Sequence, residues 1–281
     1  MLLSAPGFAV SSAHQWMVFH CRSHWTEAEA ITKGKIRGKR RPDTIRRSPG
    51  DYDVLLRQAK RATELALKDG KQLMEIEFPT AGLGSVPGDG EGGIETTESM
   101  QLIANFATFY SWFVYEPLLV SFQFFPEANE VKFARQVFEG AYFKLDYLTK
   151  PSFFEDFGFG EKVKMADRVK PDDELFVVGY PYFNVNEMIV VEELYKEAVM
   201  NINRKLIIFN GELDRIRSGC ILPSTVYYIH NFKGRNGGTL FRCYPGPWRV
   251  LKRAGNEYFF VDQQEAMPSL KEVALDILPS A

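Results

Sequence analysis

Cysteine is scarce in this sequence: Cys21, Cys220 and Cys243 are the whole complement. Three scattered thiols cannot build a disulfide framework, which fits a reducing compartment. Histidine is almost as rare. His14, His20 and His24 fall in the first 49 residues, and only His230 lies beyond them. His20, Cys21 and His24 make a weak metal-ligand set in a basic arm, and His230, on an apolar strand, is better suited to packing or turn bonding than to acting as a base. No G-x-S-x-G elbow, Cys/His nucleophile pair or metal-ligand spacing occurs, so general acid–base machinery is not visible. No strong charge of one sign is present either: the net charge is −2 and the pI about 6.2, which gives no electrostatic reason to expect nucleic acid. A secretory signal is also missing, because no apolar stretch of the leader is followed by a small-residue cleavage site.

What is present is a chain of 281 residues, 45% of them hydrophobic, enough for one large domain or two small ones. Its near-neutral charge hides an asymmetry. Residues 1–49 carry nine Lys or Arg against three acids, a local net of +6 that leaves −8 for the rest. A basic, acid-poor tract without an apolar period is expected to be a disordered or transit-like leader for an organelle, with a basic arm for an acidic partner or lipid surface as the second reading. Pro49 and Gly50 close it, and residues 50–281 are expected to form the α/β domain.

The folded part is organised around residues 171–219. A short apolar run, 174–181, predicts a strand buried on both faces. Met188, Val191, Tyr195 and Val199 recur at helical spacing, with Glu192 and Lys196 one turn apart, so 185–200 predicts a helix of about four turns. A second buried strand, 204–210, follows. Strand, helix and strand make a βαβ unit with a parallel pair. Ligands usually sit in the loops at the carboxyl ends of such strands, which directs attention to 210–219, NGELDRIRSG.

Around this unit, Asp51 is a helix N-cap candidate, Tyr52 onward follows a helical period, and Asp69 and Gly70 stop it. Residues 73–79 alternate apolar with acidic positions and predict a strand near an edge. A glycine-rich loop, 81–93, precedes a helix from Thr96. The order strand, glycine loop, helix suits phosphate, but Gly82, Gly84 and Gly88 depart from the dinucleotide spacing, no Gly-Lys-Ser/Thr follows, and Asp89, Glu91 and Glu95 repel anions. A solvated loop is the preferred reading. Residues 103–125 hold one charge and invite comparison with a membrane span. Glu116 and Pro117 near the centre oppose it, since a central carboxylate costs about 2.5–3.5 kcal/mol on insertion scales. The end of one helix, then a strand over 119–126, fits better. An amphipathic helix at 127–140, a strand at 142–148 and an aromatic loop at 151–160 come next. After the central unit, 225–230 and 239–244 predict a β-hairpin, 257–261 a last strand and 270–278 a closing helix. The expected fold is therefore α/β: a single Rossmann-like domain with a mostly parallel sheet, helices on both faces and a C-terminal antiparallel meander.

The strongest polar cluster is Asn210, Glu212, Asp214, Arg215 and Arg217. Its arginines have the geometry to clamp a carboxylate or phosphate. The preferred reading is mutual pairing, Glu212 or Asp214 with Arg215 or Arg217, that fixes the loop. Arg235, Arg242, Arg249, Lys252 and Arg253 make a basic stripe across the hairpin and its exit, suited to an anionic membrane surface or an acidic protein. No catalytic, cofactor or metal residue is assigned.

From about Gly50 onward the chain resembles a plant chloroplast family of uncharacterised α/β domains. The resemblance is carried by GDGEGGIETTESMQLI, FFPEANEVKFARQ, KLDYLTKPSFFEDFGF, KVKMADRV, DELFVVGYPYFNVNEMIVVEELYKEAV, RKLIIFNGELDRIRSG, VYYIHNFKGRNGGTLFRCYPGPW and MPSLKEVALDIL. That family is similar to Low Photosystem II Accumulation 3 and to the extra domain of a chloroplast adenylate kinase. The resemblance implies plastid import, a stromal location touching thylakoids, and help to photosystem II assembly intermediates or other assembly factors. Two departures stand out. Only CILPS separates Gly219 from Thr225, where the family has a longer Tyr/Pro/Phe-rich segment. Residues 105–121 are aromatic where a charged helix end is expected. Between Asn210 and Val226 about 15 residues remain for a crossover, close to the minimum for parallel pairing. The expected function is that of a non-enzymatic accessory protein acting through protein contacts. The competing class is a Rossmann-like ligand-binding or enzymatic domain for a phosphorylated small molecule, and a third is a structural domain that regulates a partner enzyme.

Overall fold

In the computed structural model, residues 51–79, 83, 99–106, 120–126, 128–137, 144–148, 168–181, 185–213, 221–255 and 257–281 are described, all within the compact unit Arg46–Ala281. Helix α1, Tyr52–Lys68, begins where the Asp51 carboxylate accepts from Val54 N at 2.7 Å. It ends at Asp69 and at Gly70, whose φ of +76° suits glycine. Leu55, Ala59, Ala62 and Ala66 form its buried side. Strand β1, Leu73–Glu77, follows, then helix α2 over 99–106, strand β2, Val120–Phe125, helix α3, Ala128–Val137, and strand β3, Lys144–Tyr147. The central unit is strand β4, Leu175–Gly179, helix α4, Val185–Leu194, with a π-helical continuation Tyr195–Val199, and strand β5, Lys205–Phe209. Strands β6, Ser224–Phe232, β7, Gly238–Cys243, β8, Trp248–Ala254, and β9, Glu257–Gln264, precede the closing helix α5, Leu270–Glu272, which continues as a π-helical turn Val273–Ile277.

The nine strands among the described residues join one sheet in the order β3-β2-β4-β5-β1-β6-β7-β8-β9. β1 to β6 pair in parallel and β6 to β9 antiparallel. The predicted βαβ unit is therefore present, with Leu175 beside Lys205 through Gly179 beside Phe209. Alternation along the strands sorts the core into two layers. Met74, Ile76, Leu175, Val177, Ile207 and Phe209 pack with residues of α1, α2 and α3. Leu73, Phe176, Val178, Leu206 and Ile208 pack with Met188, Val191 and Leu194 of α4. Helices thus cover both faces, and α3 and α4 lie on opposite ones. The chain reverses its winding between β2 and β4 for that reason. The meander adds a third cluster, in which Tyr228, Leu240, Trp248 and Val250 meet Val273 and Leu278 of the closing segment.

One expectation fails. β1 is not near an edge but lies between β5 and β6, with all five residues buried. Its two acids are accommodated by local donors: Glu75 accepts from Thr225 Oγ1 at 2.7 Å and Glu77 from Glu212 N at 2.6 Å. An acidic alternation that looks half-solvated in sequence is here a buried polar strip. The short segment after β5 also does not lead to a neighbouring strand, because the chain passes over β1 to reach β6.

Candidate functional site

The carboxyl ends of β4 and β5 carry three of the four non-glycine residues with positive φ among the described residues. Tyr180, Asn210 and Glu212 adopt positive φ of 33°, 50° and 45°, a conformation that costs an L-residue about 1–2 kcal/mol and is easiest for Asn. Their surroundings hold them there. Tyr180 is fully buried, its ring 5.8 Å from that of Phe125 and its N–H donating to Phe209 O at 2.6 Å. Gly179, just before it, is closely packed: a Cβ would lie 2.9 Å from Ile103 Cδ1 and 3.1 Å from Phe125 Cε1, so those side chains would have to shift.

Asn210 is the hub. Its backbone N–H donates to Ile76 O at 2.8 Å, its Oδ1 accepts from Phe78 N at 2.8 Å, and its Nδ2 donates to Ser99 Oγ at 3.0 Å. One buried side chain thereby fastens the end of β5 to the end of β1 and to the start of α2. Gly211 lets the chain turn tightly behind it, since a Cβ there would meet Ile208 Cγ2 at 2.8 Å. Glu212 N then reaches the buried Glu77 carboxylate. Farther along the same rim, Asn231 Oδ1 accepts from Thr239 Oγ1 at 2.7 Å and its Nδ2 donates to Leu83 O at 2.9 Å, tying the hairpin to the chain beyond β1.

Residues 49–275 match a known protein family, the Domain of unknown function (DUF1995). The chain belongs to that family. No curated protein and no solved structure matches the DUF1995 chain.

Of the site residues expected from the DUF1995 sequence, the structure brings Asn210 and Glu212 together with Glu77. Asp214, Arg215 and Arg217 lie outside the described residues, as do the aromatic loop 151–160 and all of the glycine loop except Leu83. The basic stripe divides. Arg242 is directly opposite Tyr228 and so shares the face of α5, whereas Arg249 is opposite Phe241 on the face of α1. Arg235 is exposed in the turn between β6 and β7. The Arg242 guanidinium lies over the Trp248 ring, 5.1 Å from its centroid, and its Nε has no hydrogen-bond partner among the described residues. Burial lowers its pKa, with Glu265, Tyr244 and Glu75 acting in the opposite direction. His230 stands in an aromatic row, its ring 6.3 Å from Tyr228 and 4.8 Å from Phe232. Among the described residues no group of three His, Cys, Asp or Glu side chains is placed to hold a metal, and no helix is long and apolar enough to cross a membrane.

Sequence reasoning missed Glu75, Glu77, Ser99, Tyr180, Asn231 and Thr239. For the two glutamates the signal was visible, but its meaning depended on which strands flank β1. The others act through partners 8 to 148 residues away, for which a single sequence holds no local mark.

Proposed function

We propose that this DUF1995 chain is a non-enzymatic chloroplast accessory protein that assists photosystem II assembly through protein contacts. The observation that carries the reading is the use made of the buried polar groups at the carboxyl rim. Both ends of the Asn210 amide, the Glu77 carboxylate and the Asn231–Thr239 pair hold backbone or one another in place. Such an arrangement supports a rigid rim for protein contacts rather than groups free to move protons. The organelle and the photosystem enter through the resemblance of the sequence and the basic leader.

Crosslinking with mass spectrometry in isolated chloroplasts tests the proposal. Crosslinks to photosystem II assembly intermediates or their assembly factors are expected, and Arg215→Ala with Arg217→Ala should reduce co-fractionation with them while leaving thermal stability unchanged. Crosslinks only to unrelated stromal enzymes, or substrate turnover by the purified protein, would overturn it.

One observation favours a second reading, a ligand-binding or enzymatic domain for a phosphorylated small molecule. Tyr180, Asn210 and Glu212 place strained backbone at the carboxyl ends of adjacent parallel strands, where ligands of such sheets bind and where strain tends to accumulate. Thermal shifts with nucleotides and sugar phosphates discriminate: a ligand at a hundredfold excess over its Kd stabilises by about 2.7 kcal/mol, and no shift is expected if the accessory role is right.

A further inference from the structure

The two turns at the outer end of the meander lie side by side. Arg253 N donates to Gly237 O at 2.9 Å, and Gly238 is the register partner of Lys252. Lys233 and Arg235 of the β6–β7 turn are therefore gathered with Arg253 of β8 on one rim, where Glu257 opens β9; Lys252, half-buried beside them, donates its ammonium to Ala281 O. Lys233, Arg235 and Arg253 are exposed. Beside them β9 opens with Tyr258, Phe259 and Phe260, which are 37%, 52% and 56% exposed and face Arg253, Lys252 and Leu251 across the ladder.

Successive strand residues point to opposite faces, so Tyr258 and Phe260 emerge on one side of the hairpin and Phe259 on the other. A partner laid flat against one side would leave aromatic surface in water on the other, whereas a tip that enters an interfacial layer is surrounded. Addition of a further strand is also opposed. The register shift between Val250 and Leu251 bulges β9, and bulges turn an edge away from incoming strands. Aromatic rings flanked by cations match a layer that is apolar inside and anionic outside.

We propose that this rim is a docking edge for an anionic lipid bilayer, with Tyr258, Phe259 and Phe260 seated at the boundary of headgroups and acyl chains and Lys233, Arg235 and Arg253 meeting the headgroups. The docking edge is independent of the assembly role, and either can fail alone.

Cosedimentation of the full chain with vesicles tests it, using phosphatidylcholine alone and phosphatidylcholine with added phosphatidylglycerol. The wild type should bind the anionic vesicles, more weakly as NaCl is raised, and leave the neutral ones. Phe259→Ser with Phe260→Ser should weaken that binding about tenfold or more, and Arg235→Gln with Arg253→Gln should weaken it and flatten the salt dependence. A melting curve checks the fold of both, and if the serine variant does not melt cooperatively the glutamine variant decides. Wild-type binding to neither vesicle, equal binding to both, or folded variants that bind like the wild type would overturn the proposal, the last because the basic residues 1–49 would then account for the attraction.

Discussion

Asn210 combines a left-handed backbone with a side chain whose two ends are both engaged in the interior. Asn210→Ala removes the acceptor of Phe78 N and the donor to Ser99 Oγ and leaves a Cβ residue in a strained conformation. A loss of about 2–4 kcal/mol is expected in urea denaturation. Asn210→Gly relieves the backbone but not the orphaned groups, so its loss should be smaller, and the difference between the two variants measures the strain. Tyr227 offers a test by pH. Burial, and secondarily Cys243, raises its pKa well above 10.0, and its hydroxyl donates to Gln58 Oε1 at 2.8 Å. The unfolded chain ionises first as pH rises, so the stabilisation is complete below about 10 and is lost progressively above it. Between pH 9 and 11, roughly, the urea midpoint of Tyr227→Phe should fall less steeply than that of the wild type. At this scale the sequence was partly legible. Asn210 and Glu212 stood out because they follow a buried strand. Glu75 and Glu77 did not, because LMEIEF has the same alternation whether its polar side meets water or a Thr225 hydroxyl and a Glu212 amide.

Elements with a strong local period were readable, and those defined by distant partners were not. α1 announced itself through Asp51, its buried Leu55, Ala59 and Ala62, and the stop at Gly70. β4, α4 and β5 were readable for the same reason: uninterrupted apolar runs of strand length on either side of a helical spacing. The closing helix was equally visible, with Ser269 accepting from Glu272 N at 3.1 Å at its start. What holds that helix is long-range. Val273 and Leu278 fill the third cluster against Tyr228, Leu240 and Trp248. Leu278→Ala should cost about 2–4 kcal/mol. Hydrogen exchange should show protection lost first over 265–281, while β4 and β5 remain protected until global unfolding. Uniform loss of protection across the domain would show that the third cluster is not a separable unit.

For the whole molecule, the position of β1 matters most. It joins the parallel strands β5 and β6, which do not touch each other. Deleting residues 1–79 should therefore leave a chain with no cooperative melt by circular dichroism, even though eight of the nine described strands remain. A sharp transition would mean that β5 and β6 can pair directly. Layering and the antiparallel meander were legible as a fold class; strand order was not, since each crossover is compatible with several neighbours until its partners are known.

The same placement has a consequence for biogenesis. Phe78 waits for Asn210, 132 positions later, and Glu75 for Thr225, 150 positions later. At a ribosomal rate of about 5–20 residues per second this amounts to several seconds or more, in which the first strand has emerged with both its ladders open. A newborn polypeptide of this design needs shelter for its earliest segment until its latest ones arrive, so depletion of nascent-chain chaperones should lower its yield more than that of a domain whose first strand lies at the margin.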